Sequence, residues 1–355
     1  MTMEAAPQQR TLILHGGMHK TGSSAIQKYL FEKLDEPDVE YFSFDRANAS
    51  MGLLEAFHTR LARLPRYKAR GSTPEHLEER RGKARERFQR RLKASSKQTV
   101  IISAESFSLL NMAECRDLEM HLREHFSRIK LVLYIRPLYS RIESAFQQKL
   151  KKRFVPLEHK VSPRFKKRIS TYDAVFGEDN VIIRPFKPSE FPGNSVVNDF
   201  LQVCGLPPTE ASTVKANVGL SLPAVQVLYI YRQHFPIAAE EDDALVAQLS
   251  QLEGDRFRLH RDLLQRILSE GDDSYDWLQQ RAGLSLYDDT DRVGDQVQSE
   301  QDMLSVSDTT LRWLEQQTGG LVVANRETAL EEIARGLKAW AMRLHAADEQ
   351  TIAER

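Results

Sequence analysis

Apolar positions along the first 205 residues keep to two rhythms, short unbroken runs and a spacing of three to four. Leu12-Ile13-Leu14 is an unbroken run and reads as a buried strand. Gly16 and Gly17 break it, and from Ala25 to Phe31 the apolar residues Ile26, Tyr29 and Leu30 share one helical face. The same alternation recurs downstream. Residues 39–44 predict a second strand and 51–64 a helix. Residues 60–97 are densely charged around the thin apolar anchors Leu77, Phe88 and Leu92, which predicts a mostly exposed helix. Residues 99–103 and 129–135 predict strands, and 113–126 and 138–152 helices, with Pro137 at a first-turn position. A last strand over 180–186 leads to a helix over 196–203 that Gly205 and Pro207 close.

Strands alternating with helices through about residue 205 predict an α/β domain with a mainly parallel central sheet. Beyond Pro207 the rhythm is helical only, over 221–231, 242–252, 257–268 and 326–344, and 283–307 reads as a polar, acidic loop. The expected organisation is therefore a core over 1–205 and a helical extension over 206–355 that shapes an acceptor pocket.

A chain of 355 residues can bury a sizeable core. Its formal net charge is zero, which removes any global electrostatic case for binding nucleic acid. Cys115 and Cys204 are the only two cysteines and lie far apart, without the spacing of a disulfide framework or a zinc site. No stretch has the length of a spanning helix and the first residues lack a signal core, so a cytoplasmic protein without an integral membrane segment is expected.

The chemistry begins where the first strand ends. Lys20-Thr21-Gly22-Ser23-Ser24 lies between a strand and a helix start, where unpaired N–H groups and the helix dipole favour an anion. Lys20 adds a full charge, and Thr21, Ser23 and Ser24 add hydroxyls. The lysine precedes Gly22 rather than following it, so this is not a Walker A loop. A second cation, Arg136, closes the strand at 129–135, and Ser144 follows eight residues on. A guanidinium and a hydroxyl there suit a second phosphate.

Gly17 to Gln27 resembles the 5′-phosphosulfate loop of bacterial sulfotransferases that use 3′-phosphoadenosine 5′-phosphosulfate (PAPS), and Arg136 to Ser144 resembles their 3′-phosphate signature. Phe146 stands where that signature usually has tyrosine, and the glycine-rich C-terminal loop of some members has no counterpart; Lys149, Lys151, Lys152 and Arg153 are candidates to replace it. The resemblance implies a P-loop-like three-layer fold, PAPS as co-substrate and no metal. It implies donor binding by His19, Lys20, Thr21, Gly22, Ser23, Ser24, Arg136 and Ser144. Lys20 is expected to stabilise the leaving phosphate, and Glu105, just after the 99–103 strand, to act as base, with His19 as rival and His15 as a structural residue. The expected acceptor is a hydroxyl or amine of a glycan, glycolipid or small metabolite. A nucleotide kinase or NTPase and a non-catalytic nucleotide-binding module are the competing classes.

Overall fold

The structure, a computed structural model, describes residues 10–16, 18, 21–162, 165–210, 219–268, 273–283, 285–286, 297–323 and 329–353. In chain order the first half runs β1 (Thr11–His15), α1 (Ser23–Glu32), β2 (Val39–Phe42), α2 (Ser50–Phe57), α3 (Pro65–Ala69), α4 (Pro74–Ala94), β3 (Thr99–Ser103), α5 (Met112–Arg123), β4 (Arg128–Ile135), α6 (Leu138–Leu150), α7 (Phe165–Phe176), β5 (Val181–Pro185) and α8 (Val196–Cys204). Helices follow: α9 (Leu222–His234), α10 (Asp242–Leu249), α11 (Arg261–Ile267), α12 (Ser274–Ala282), α13 (Glu300–Leu304), α14 (Asp308–Thr318) and α15 (Leu330–Ala353).

The chain groups into two compact units that interleave in sequence, rather than meeting at a boundary near 205. One comprises 1–137, 164–216 and 273–286, the other 138–163, 217–272 and 287–355. The first holds the sheet, five strands in the order β2-β3-β1-β4-β5 with every pairing parallel. Parallel strands covered on both faces must be apolar throughout, which is why they stand out as runs. One face carries Ile13, Ile101, Val132 and Tyr134 under Ile26 and Leu30 of α1 and Val197, Phe200 and Leu201 of α8. On the opposite side α5 and α7 pack on β4, with Phe107 stacked on Tyr172 at 5.0 Å between ring centres. This is the expected α/β three-layer fold with its parallel sheet.

Local chemistry sets the helix ends. The Ser195 hydroxyl accepts from Asn198 N at the start of α8, and Gly205, at φ 73°, ends it. Asn111 and Glu114 form a capping box on α5. The charged segment is α4, which buries Leu77, Ala84, Phe88 and Leu92 and pairs its outer arginines with carboxylates, Arg80 with Glu55 at 2.6 Å and Arg91 with Glu40 at 3.5 Å. The helix expected over 51–64 ends at Phe57, because His58 turns extended and its ring, with Thr59 N at 2.7 Å, meets the buried Glu114 carboxylate.

The second unit is helical. α9 is buried over most of its surface and packs on α6, α10, α13 and α15. Arg232 of α9 is fully buried with Asp242, 2.6 Å away, and donates further to Leu150 O and Lys151 O at 3.0 Å each. Burial pushes the Asp242 carboxyl up, but hydrogen bonds from Tyr231 and Arg232 outweigh it and hold the group below the usual range. The loop expected over 283–307 contains a helix, α13, with Ser299 and Asp302 in a capping box; residues 284 and 287–296 of that stretch lie outside the described residues. A polar cleft of 680 Å³ opens among Leu222, Pro223, Gln226, His260, Asp302 and Ser307.

Candidate functional site

Three neighbouring strands, β3, β1 and β4, bring Gly22 at the start of α1, Glu105 and Arg136 to one end of the sheet of the first unit. His15 is in register with Ser103 on β3 and Val132 on β4. The parallel register puts the loop after β1, Glu105 after β3 and Arg136 after β4 at the carboxyl ends of the strands, where ligands bind in such sheets. Gly16 N donates to Val132 O at 3.1 Å and Ala104 N to His15 O at 3.0 Å, so the backbone stays tied to its neighbours as each strand ends.

The loop itself is closely fitted. A Cβ on Gly16 would lie 3.0–3.2 Å from Leu133, Phe107 and Leu131. Gly22 precedes α1 at φ 77°, and a Cβ there would stand 2.8 Å from Val196 and 3.2 Å from Phe186, so both backbone angle and space require glycine. Among the described residues no side chain caps α1 and no acidic residue lies in its first turn, an arrangement that suits an anion. Ser23 is buried and its hydroxyl meets no partner among the described residues, while Ser24 is exposed. The Thr21 hydroxyl donates to Met18 O at 2.5 Å, which commits its proton inside the loop. Lys20, His19 and Gly17 lie outside the described residues.

Arg136 is half-buried, with its guanidinium 5.2 Å from the centre of the Phe186 ring. Phe186 N donates to Ile135 O at 2.7 Å, fastening the end of β5 to the end of β4. The same ring borders Gly22, so one aromatic side chain spans from the α1 start to the arginine. The sequence reading had Phe186 only as a strand end. Arg168 and Tyr275 were also missed: Arg168 donates to Met18 Sδ at 3.4 Å, and Tyr275 donates to Arg136 O at 2.8 Å. Arg184 is engaged elsewhere, donating to the buried carboxylate of Asp199, which also accepts from Tyr134 at 2.6 Å.

Glu105 opens a 3-10 turn, Glu105–Leu109, held by a bond of 2.9 Å from Ser106 N to Ser50 Oγ. His15 beneath it is fully buried, and burial lowers its pKa to about 4 against a smaller upward pull from the Glu105 charge. The imidazole is therefore neutral at pH 7. In the second unit Ser144 is half-buried on α6, and Phe146 is a core residue stacked on Phe257 at 5.6 Å. Of the nearby cations, Lys152 pairs with Asp243 at 3.1 Å, and burial, then Arg153 and Arg141, lower the pKa of Lys149. Among the described residues no group of three or more His, Cys, Asp or Glu is placed to hold a metal, and no helix is long and apolar enough to cross a membrane.

Fold and site together define an α/β protein with a strand–loop–helix turn at one sheet end and an arginine over the Phe186 ring beside it. No family model matches the chain. An uncharacterised protein of Archaeoglobus fulgidus is 29% identical over 136 residues, 38% of this chain and 37% of that protein. The chain thus spans little more than a third of that relative's length. Among solved structures, a sulfotransferase from Alicyclobacillus acidocaldarius is similar over 70% of this chain and 98% of its own, at 14% identity and a TM-score of 0.35, too low to bear on activity.

Proposed function

We propose that the protein is a sulfotransferase that moves the sulfuryl group of PAPS to a hydroxyl or amine of a glycan, glycolipid or small metabolite. The observation that carries this reading is the convergence of three stretches, read separately from sequence, at the ends of adjacent strands β3, β1 and β4. The residues present fit the donor. The α1 start beside Gly22, with the buried Ser23 hydroxyl, suits the 5′-phosphosulfate. Arg136, whose guanidinium lies over the Phe186 ring, suits the 3′-phosphate.

In the proposed reaction Glu105 takes the proton of the acceptor hydroxyl as its oxygen bonds to sulfur. The bond from sulfur to the bridging oxygen breaks, and that oxygen keeps the electron pair as part of 3′,5′-ADP. Lys20 and the α1 N-terminus stabilise the charge that grows there. Transfer of labelled sulfate from PAPS across a panel of hydroxyl and amine acceptors tests the reading, with ATP as control donor. Glu105→Gln is expected to lower turnover by roughly 10²–10⁴ while leaving 3′,5′-ADP affinity unchanged. Phosphate transfer from ATP, with none from PAPS, would make the protein a kinase instead.

A further inference from the structure

Behind the loop, in the first unit, lies a buried polar cluster that no step above uses. Ser103 is fully buried at the end of β3. Its Oγ lies 2.8 Å from His15 Nδ1 and 3.1 Å from Gln27 Nε2. Burial raises the pKa of the Tyr41 phenol, and the Ser103 hydroxyl nearby pulls it partly back. Tyr41 passes its own proton to Ala47 O.

Gln27 can only donate through its amide nitrogen, so Ser103 Oγ accepts from it and shares a second bond with His15 Nδ1. The His15 ring meets Ser103 through Nδ1 and turns Nε2 the other way. That atom is buried and meets no partner among the described residues, as a neutral imidazole in an apolar site permits.

We infer that Ser103 is a positioning residue that couples the anion loop to the proposed base. Each arm ends on a segment that the chemistry needs fixed. His15 is the last residue of β1 before the loop, Gln27 stands one turn into α1, and Ser103 itself lies two residues before Glu105. One hydroxyl thus ties β1, β3 and α1 together. A buried network of this kind holds its members in a single arrangement, since breaking one bond leaves another polar group unpaired. The functional consequence rests on the sulfotransferase reading; the coupling itself does not.

Amide hydrogen exchange in Ser103→Ala, Gln27→Leu and the double variant tests this, with Ile101→Val, a core change in the same sheet, as control. The reporters are Ala25 and Ile26 N–H, which donate to Gly22 O, and Ala104 and Phe107 N–H on the Glu105 side. Each single variant should speed exchange at both pairs by about tenfold and weaken 3′,5′-ADP binding by about tenfold, and the double variant should add little more. Ile101→Val should do neither. Faster exchange confined to the element carrying the substitution, or effects that multiply in the double variant, would overturn the coupling. If Ser103→Ala does not fold, Gln27→Leu alone must still disturb Ala104 and Phe107. Absence of 3′,5′-ADP binding to the wild type would refute the sulfotransferase reading, and the exchange pattern would still decide the coupling.

Discussion

Protonation of His15 should set how steeply the protein loses stability in mild acid. The imidazole is sealed in the core, in contact with Tyr134 and Phe200, and burial brings its pKa from 6.5 to about 4. In the unfolded chain it binds a proton near 6.5, so between those values the unfolded state holds more protons and stability falls as pH falls. A difference of about 2.5 units corresponds to about 3 kcal/mol, fully present above pH 6.5 and lost by pH 4. Other groups also titrate here, so the measurement is a difference between wild type and His15→Asn, which keeps an amide near the Nδ1 position and has no titrating ring. Urea unfolding at half-unit steps from pH 4.5 to 7.5 gives both curves. Wild type is expected to lose about 3 kcal/mol more than the variant across this range, or slightly less because the lowest step stops short of pH 4. Parallel curves would refute the claim that a neutral, buried imidazole supports the loop.

Two further outcomes follow from the geometry. Gly22→Ala should cost about 1–2 kcal/mol from its left-handed backbone alone, and its methyl should push Val196 and Phe186 aside; the melting temperature and 3′,5′-ADP affinity should fall together. Asp242→Asn in the second unit leaves the buried Arg232 charge without its carboxylate and should cost about 3–5 kcal/mol in urea unfolding, without the tenfold faster exchange at Ala25 and Ile26 expected of Ser103→Ala.

Much of the first unit was legible because a parallel sheet buried on both faces writes itself as continuous apolar runs. β3 falls on the residues that the Thr99-to-Ser103 run predicts, and Gly22, Glu105 and Arg136 follow three neighbouring parallel strands. The helices read less evenly. In α7 the apolar face is Phe165, Ile169, Tyr172 and Phe176, a narrow stripe among lysines and an arginine, and it passed unread, as did α12 and α14. The site's other half was illegible for a different reason. Phe186 meets Arg136 and Gly22, and Arg168 meets Met18, across separations that no local spacing encodes. Similarly, the interleaved units depend on which distant segments pack together, so a composition shift near residue 205 does not mark them. Thr21 shows the limit at atomic scale: the sequence supplies a hydroxyl, and only the loop's own path turns its proton toward Met18 O.

The central claim is a donor site with a place for two separated phosphates, and calorimetric titration with 3′,5′-ADP and 5′-AMP tests it most directly. Binding of 3′,5′-ADP is expected to be clearly tighter, and Arg136→Ala to lose about tenfold to a hundredfold of that affinity, the worth of one charge-assisted contact, with 5′-AMP unaffected. Equal affinity for the two nucleotides in the wild type would contradict it.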